Sequence, residues 1–288
     1  MTEAERDVIK LIKSKEKTFT KQQRALAEYI EKHYDKAAYM TASELGKNAS
    51  ASESTVVRFA ASLGFDSYQS FIKSLKESAR NRLNSLQRME IASKTLDKED
   101  ILSSVLSQDV EKILTTLREI DKAQFDGAVE ALLKADNIYI TGVRSAAALA
   151  SFTGFYFNLL FDNVRLINTT GADDIFEQLL RVGKSDVVLG MSFPRYSKTT
   201  ISALEYAAKC KAKVIGITDN KKSPIVKYSD YCLIASSDMD SFVDSLVAPL
   251  SVINALIVAI GMKKKNEAVK TFEKLEGMWA EYEVYDKE

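Results

Sequence analysis

The chain has 288 residues, 46% of them hydrophobic, and its 40 Lys and Arg are balanced by 40 Asp and Glu. That length accommodates two domains with separate cores, and that apolar share excludes a chain disordered throughout. Zero net charge excludes a protein basic from end to end, and the two cysteines, Cys210 and Cys232, lack metal-ligand spacing or a histidine nearby. They read as buried thiols of a reducing compartment.

The first elements are amphipathic helices. Val8, Ile9, Leu11 and Ile12 make one apolar face; Leu26, Ala27, Ile30 and Tyr34 make the next, on the pattern Gln23–Tyr34 that carries the only histidine, His33. A lone His there reads as surface or packing. Charge is uneven along the chain: residues 1–90 hold 16 Lys and Arg against 12 Asp and Glu. A modest excess suits a dimer that doubles its phosphate contacts, since DNA binding is largely counterion release.

Two short helices joined by a polar turn follow. Thr41 with Glu44 forms a capping box at the start of the first, and Ser50 with Glu53, or Ser52 alone, can cap the second. Gly64 ends the second by taking a left-handed conformation. Val56, Phe59, Ala60 and Leu63 form its apolar stripe, which leaves Ser54, Thr55 and Arg58 expected on the opposite side near the amino end. Short hydroxyls and a long cation at the start of an exposed helix suit a DNA major groove. The expected DNA contacts are Ser43, Lys47, Ser52, Ser54, Thr55 and Arg58. A helical hairpin with a merely solvated Arg58 has the same pattern. The run Ser52-x-Ser-Thr-Val-Val-Arg-Phe, Leu63-Gly-Phe65 and Tyr68-x-x-Phe71 resembles the amino-terminal domain of the RpiR/MurR family of bacterial transcriptional regulators. The resemblance implies that these residues form a recognition helix and the helix after it.

Residues 72–120 read as long polar helices. Leu75, Leu83, Leu86 and Met89, then Ile101, Val105, Leu106, Val110, Ile113, Leu114 and Leu117, recur at steps of three and four. They make a connector able to pack on a symmetry mate, or a solvated linker over residues 76–98. From about residue 122 the period changes. Asn137–Thr141, Val164–Ile167, Asp186–Gly190, Lys213–Thr218 and Tyr231–Ile234 are short strands alternating with helices, which implies a parallel sheet covered on both faces. Leu246–Ile260 is apolar but about 15 residues long, short of the roughly 20 that span a bilayer. It reads as a buried helix, and the chain, with no signal-peptide pattern, as cytoplasmic with no membrane partner.

In such a sheet ligands bind beyond the carboxyl ends of the strands. Two loops stand there, Gly142-Val-Arg-Ser145 and Ser192-Phe-Pro-Arg-Tyr-Ser-Lys198. Each offers hydroxyls, helix-start amides and an arginine, a set that favours phosphate or carboxylate. Gly142-x-x-Ser145, the Ser192–Ser197 loop, Val214-Ile-Gly-Ile-Thr-Asp219 and Ser223-Pro224 resemble a sugar isomerase (SIS) domain. Such domains hold phosphosugars through the serines and threonines of these loops. Ser192 and Ser197 match the first serine and the threonine of the usual Ser-x-Ser-Gly-x-Thr loop, whereas Pro194 and Arg195 replace its second serine and glycine. The expected ligand set is Arg144, Ser145, Ser192, Arg195, Ser197, Lys198 and Ser223.

The expected fold is therefore an all-α helix-turn-helix domain (residues 1–77), a helical linker (78–121), a three-layer α/β/α SIS domain with a parallel sheet (122–262) and a carboxy-terminal amphipathic helix (263–288). The expected function is a transcriptional regulator of sugar or amino-sugar metabolism. It is a homodimer or homotetramer whose partners are double-stranded operator DNA and a phosphorylated sugar, and it has no cofactor, metal or catalytic residue. The alternative is a sugar-phosphate isomerase with an accessory helical domain. Isomerisation needs a general base, usually Glu or His. The second half has no histidine, and Asp173, Asp174, Glu177, Asp240 and Asp244 sit in no recognisable catalytic motif.

Overall fold

The computed structural model describes residues 7–80, 83–95, 97, 99–167, 174–237 and 242–285. Its chain contacts group into two compact units, Met1–Thr95 and Leu96–Glu288. The division falls within the 78–121 stretch expected to be a linker.

The first unit is helical: α1 (Val8–Lys15), α2 (Lys21–Lys32), α3 (Tyr34–Ala37), α4 (Ala42–Asn48), α5 (Glu53–Ser62), α6 (Tyr68–Arg80) and α7 (Ser85–Thr95). Side-chain caps fix most of the starts: Asp7 for α1, capping boxes at Thr20/Gln23 for α2 and Thr41/Glu44 for α4, and Ser52 for α5. Each supplies an acceptor to backbone N–H groups that have no intrahelical partner. The expected second helix stops at His33, whose ring packs on Tyr29 at 4.9 Å, so Tyr34 begins α3 instead. One core joins α1 to α6, centred on Ile12, Leu26, Ile30, Leu45, Phe59 and Phe71. Leu75 and Leu83 are buried as the pattern implied, but Leu86 and Met89 face solvent.

The second unit opens with α8 (Ile101–Glu119) and α9 (Lys122–Leu133). There follow β1 (Ile138–Gly142), α10 (Ala146–Leu160), β2 (Val164–Ile167), α11 (Asp174–Gln178), β3 (Val187–Met191), α12 (Lys198–Lys209), β4 (Lys213–Thr218), β5 (Tyr231–Ile234), α13 (Val247–Lys263) and α14 (Lys265–Glu281). All strands are parallel, in the order β2-β1-β3-β4-β5. Strand alternation sorts the core into two layers. Ile138, Ile140, Leu189, Met191, Ile215 and Ile217 pack with α9, α10 and α13. Tyr139, Val188 and Val214 pack on the opposite face with Ile175 of α11 and Ala203, Leu204 and Ala207 of α12. This is the three-layer arrangement the alternating elements implied. β1 and β3 each run one residue past the expected strand.

The apolar segment Leu246–Ile260 forms most of α13, which buries Ala248, Val252, Ile253, Leu256 and Ile260. No single described helix is long and apolar enough to cross a membrane; α13 and α14 satisfy length and composition only as a pair bent by 100°. Cys210 and Cys232 are half-buried rather than buried, and both are free thiols.

Candidate DNA-reading helix and anion crevice

In the first unit, α4 and α5 meet across a turn that the sequence shapes tightly. Ser50 adopts φ 53°, and the Ala51 N–H donates to the Gly46 carbonyl at 2.8 Å. A Cβ on Gly46 would lie 2.7 Å from the Ala51 carbonyl oxygen, so only glycine lets the turn fold back on α4. Gly64, at φ 89°, ends the helical segment as expected. Of the two caps the sequence offered for α5, Ser52 acts: its Oγ accepts from the Thr55 N–H at 3.2 Å. The Thr41 hydroxyl and N–H both bind Glu44, and these hydrogen bonds hold its carboxyl below the usual range.

The apolar stripe Val56, Phe59, Ala60 and Leu63 is buried. Thr55 is not on the opposite face. It is 6% exposed, and its Oγ1 donates to Gln22 Oε1 at 3.2 Å and lies 2.8 Å from Ser52 Oγ. Thr55 stands four residues before Phe59, one helical turn away, and so shares the edge of the buried face. The exposed face of α5 instead carries Ser54, Val57 (45% exposed) and Arg58. Val57 was not singled out from the sequence, because an apolar residue in a run reads as core. A Val methyl on such a face is suited to a thymine methyl. The Arg58 guanidinium folds over the first turn, with Nε donating to the Ser54 carbonyl at 3.2 Å and a terminal nitrogen to Ser54 Oγ at 3.5 Å. Lys47 and Ser52 are exposed and Ser43 is half-buried.

In the second unit, the strand order reverses between β1 and β3. The connection after β1 leads to β2 through α10 on one face, and that after β3 leads to β4 through α12 on the other. Such a switch point opens a crevice at the carboxyl edge. Gly142 pairs with Met191 at the ends of the two strands, so the loops carrying Arg144–Ser145 and Ser192–Lys198 leave side by side. Ser223 follows β4 on the same edge.

Four buried hydroxyls near this edge lack any hydrogen-bond partner among the described residues: Thr141, Ser192, Thr200 and Ser223. Two of them, Thr141 at the end of β1 and Thr200 in the first turn of α12, escaped the sequence reading; each looks like an ordinary strand or helix residue. Tyr139 and Val188 face the α12 layer, so alternation turns Thr141 the same way. The ladder continues past β3, with the Ser192 N–H on the Ile217 carbonyl at 3.1 Å. Leaving one buried hydroxyl unpaired costs about 1–3 kcal/mol, so several at one sheet edge mark a place built for an acceptor-rich ligand.

Around them the polar groups divide into paired and free. Ser197 caps α12, accepting from the Thr200 N–H at 3.4 Å. Ser145 Oγ donates to Asp244 Oδ2 at 3.0 Å. Arg144 (at φ 59°), Arg195 and Lys198 are exposed and form no ion pair among the described residues. A second network braces the crevice floor: Tyr196 OH donates to Asp219 Oδ1 at 2.8 Å, Asn220 Nδ2 to Asp219 Oδ2 at 2.7 Å, and Thr218 Oγ1 to the Ser192 carbonyl at 2.7 Å. Burial, with Asp219 adding, pushes the Cys232 thiol up to about 11. Asp173 and Asp240 lie outside the described residues. Asp174 and Glu177 sit on α11, and among the described residues no group of three or more His, Cys, Asp or Glu could hold a metal ion.

Comparison with known proteins agrees with both halves. Residues 6–82 match the helix-turn-helix domain of the rpiR family, and residues 131–259 match the SIS domain. A relative named as an uncharacterised HTH-type transcriptional regulator, from Caldanaerobacter subterraneus, is 25% identical over 274 residues, covering 93% of this chain and 95% of that protein. The sugar isomerase domain of an RpiR transcription factor from Sphaerobacter thermophilus is 25% identical, covering 62% of this chain and 98% of that one, at a TM-score of 0.59. The NanR protein of Vibrio vulnificus, solved with ManNAc-6P, shares the fold at 20% identity, covering 94% of this chain and 98% of that one, at a TM-score of 0.58. A solved structure named as a phosphoheptose isomerase, from Neisseria gonorrhoeae, shares the fold at 14% identity, covering 57% of this chain and 99% of that one, at a TM-score of 0.50. An rpiR-family helix-turn-helix domain joined to a SIS domain makes this chain an RpiR-type transcriptional regulator.

Proposed function

We propose that the first unit binds double-stranded operator DNA through the exposed face of α5 and that the second senses a phosphorylated sugar or amino sugar. Ser54, Val57 and Arg58 read base edges, while Ser43, Lys47 and Ser52 contact the phosphate backbone. Thr55 holds the helix in place. The effector phosphate sits in the crevice between the β1 and β3 loops, taken by Ser145, Ser192, Ser197 and Ser223 with Arg144, Arg195 and Lys198 supplying charge.

One observation carries the effector site: buried hydroxyls at the sheet's carboxyl edge with no hydrogen-bond partner among the described residues, near cations that form no ion pair among them. A phosphate satisfies such donors at several oxygens, and a dianion gains further from guanidinium. NanR, which shares the fold, was solved with a phosphosugar, which supports the same ligand class here. The test is a thermal-shift screen of phosphorylated sugars against their unphosphorylated parents, because a ligand that binds only the folded state raises its stability. Equal shifts for sugar and sugar phosphate would refute the site.

The chain works as a regulator rather than an enzyme, a reading supported by the names of its full-length relatives. A shared fold does not carry chemistry with it. Interconversion of hexose phosphates by the purified protein would overturn this reading. The regulator acts in the cytoplasm as a homodimer or homotetramer. The exposed row Leu102, Leu106, Val110 and Leu117 on α8 supports assembly, since a run of large apolar side chains is costly to leave in water. A monomer by light scattering at micromolar concentration would contradict it.

A further inference from the structure

The carboxyl edge of the sheet is tied by hydrogen bonds to α8, the helix by which the chain enters the second unit. Beyond β5 the Ser236 N–H donates to Thr116 Oγ1 of α8 at 2.8 Å. Ser237 Oγ donates to the Ser245 carbonyl at 2.8 Å, drawing the two sides of this loop together. Ser245 Oγ in turn donates to Asp109 Oδ1 of α8 at 2.6 Å. Asp109 is paired at 3.8 Å with Lys112, whose side chain is buried. The residue just before Ser245 is Asp244, the acceptor for Ser145 Oγ at 3.0 Å. Two consecutive residues thus engage different elements, one the β1 loop and one α8, each through a hydroxyl–carboxylate hydrogen bond.

We propose that the Asp244–Ser245 pair is the relay that reports occupancy of the crevice to α8. The proposal rests on the reading of the β1 loop as part of the phosphate site. Ser145 has one hydroxyl proton, so a phosphate oxygen and the Asp244 carboxylate compete for it, and two anions at that separation repel. Binding of the anion therefore displaces Asp244 from Ser145. Ser245 is joined to Asp244 through the backbone, so the displacement pulls on its bond to Asp109. Lys112 anchors Asp109 on α8, which makes the helix, not a loose side chain, the receiver. The two states of the relay are thus Asp244 on Ser145 with Ser245 on Asp109, and phosphate on Ser145 with both bonds altered. By linkage, whatever biases α8 from the other side changes phosphate affinity by the same factor.

Hydrogen exchange of the α8 amides in the full chain, with and without saturating inorganic phosphate, tests this. Phosphate is the probe because it is the part of the ligand that competes for Ser145. In the wild-type protein phosphate should change exchange over residues 101–119. Ser245→Ala, which no longer has the bond to Asp109 to give up, should bind phosphate at least as tightly as wild type and lose that change, and Ser245→Thr, which keeps the hydroxyl, should restore it. Asp244→Asn should bind phosphate about tenfold more tightly, since the like charge is gone, and show a reduced α8 response. An α8 response undiminished in Ser245→Ala, or weaker phosphate binding by Asp244→Asn, overturns the relay alone. Failure of wild-type protein to bind phosphate overturns the phosphate site, and the relay with it.

Discussion

Thr55 Oγ1 stands 3.2 Å from Gln22 Oε1 and ties the first turn of α5 to α2. One of the hydroxyls expected from the sequence to contact DNA is therefore committed to orienting the helix. Arg58, one turn further on, bonds only within its own helix and remains exposed. The two residues should separate cleanly by experiment. Thr55→Val should lower the stability of the first unit by about 0.5–1.5 kcal/mol, the net worth of one hydrogen bond. Arg58→Ala should leave stability unchanged and cost about 1–3 kcal/mol in operator affinity. Thermal unfolding and gel-shift titration at fixed salt measure the two; unaltered affinity in Arg58→Ala would count against α5 as the reader.

Gly46 should tolerate no side chain. Its Cβ would meet the Ala51 carbonyl oxygen at 2.7 Å, a backbone atom that a rotamer change does not move aside. Gly46→Ala should destabilise the first unit by about 1–3 kcal/mol through overpacking, although Ala is the better helix former. Urea unfolding that shows Gly46→Ala to be as stable as wild type would mean the turn has another way to close.

What the sequence made legible follows from how each signal arises. The strands at Val164–Ile167, Lys213–Thr218 and Tyr231–Ile234 match their expected bounds because each is a short stretch rich in apolar and β-branched residues set between helical patterns. The caps at Thr41 and Ser52 were readable because capping is local. Thr55 was misplaced because it sits at the boundary of the buried stripe, where its side depends on Gln22, a residue 33 positions away. Asp244 was visible only as a stray carboxylate, since its partner Ser145 is 99 residues distant. Thr141 and Thr200 carry no local signature at all; a hydroxyl becomes informative once packing has buried it and denied it a partner.

Cys232 should be a poor nucleophile. Its thiol is pushed up to about 11 by burial, and the nearby Asp219 acts in the same direction. Thiolate is the reactive form, so at pH 8 its population falls about a hundredfold below that of an ordinary thiol. Alkylation should rise with pH until the titration near 11 is passed. Rapid iodoacetamide labelling of Cys232 at pH 8, mapped by mass spectrometry, would show that the strand environment is more open than its burial implies.

Ser192 and Arg195 should respond differently to removal. Ser192 is 3% exposed and its hydroxyl has no hydrogen-bond partner among the described residues, so the ligand-free protein carries its desolvation cost without a hydrogen bond in return. Ser192→Ala should therefore leave the free protein at least as stable as wild type, by up to about 1 kcal/mol, while weakening phosphosugar binding by about 0.5–1.5 kcal/mol. Arg195 is exposed and forms no ion pair among the described residues, so Arg195→Ala should not move the unfolding midpoint of the free protein. Its loss should cost more in binding, about 1.5–3 kcal/mol, because a charged donor meets a charged acceptor. That part of the affinity should shrink as salt is raised, since an exposed cation is screened. Calorimetry on both variants at low and high salt, with unfolding followed in the absence of ligand, checks each sign. A Ser192→Ala variant clearly less stable than wild type without ligand would mean that its hydroxyl is already satisfied, and the crevice would lose the observation on which it stands.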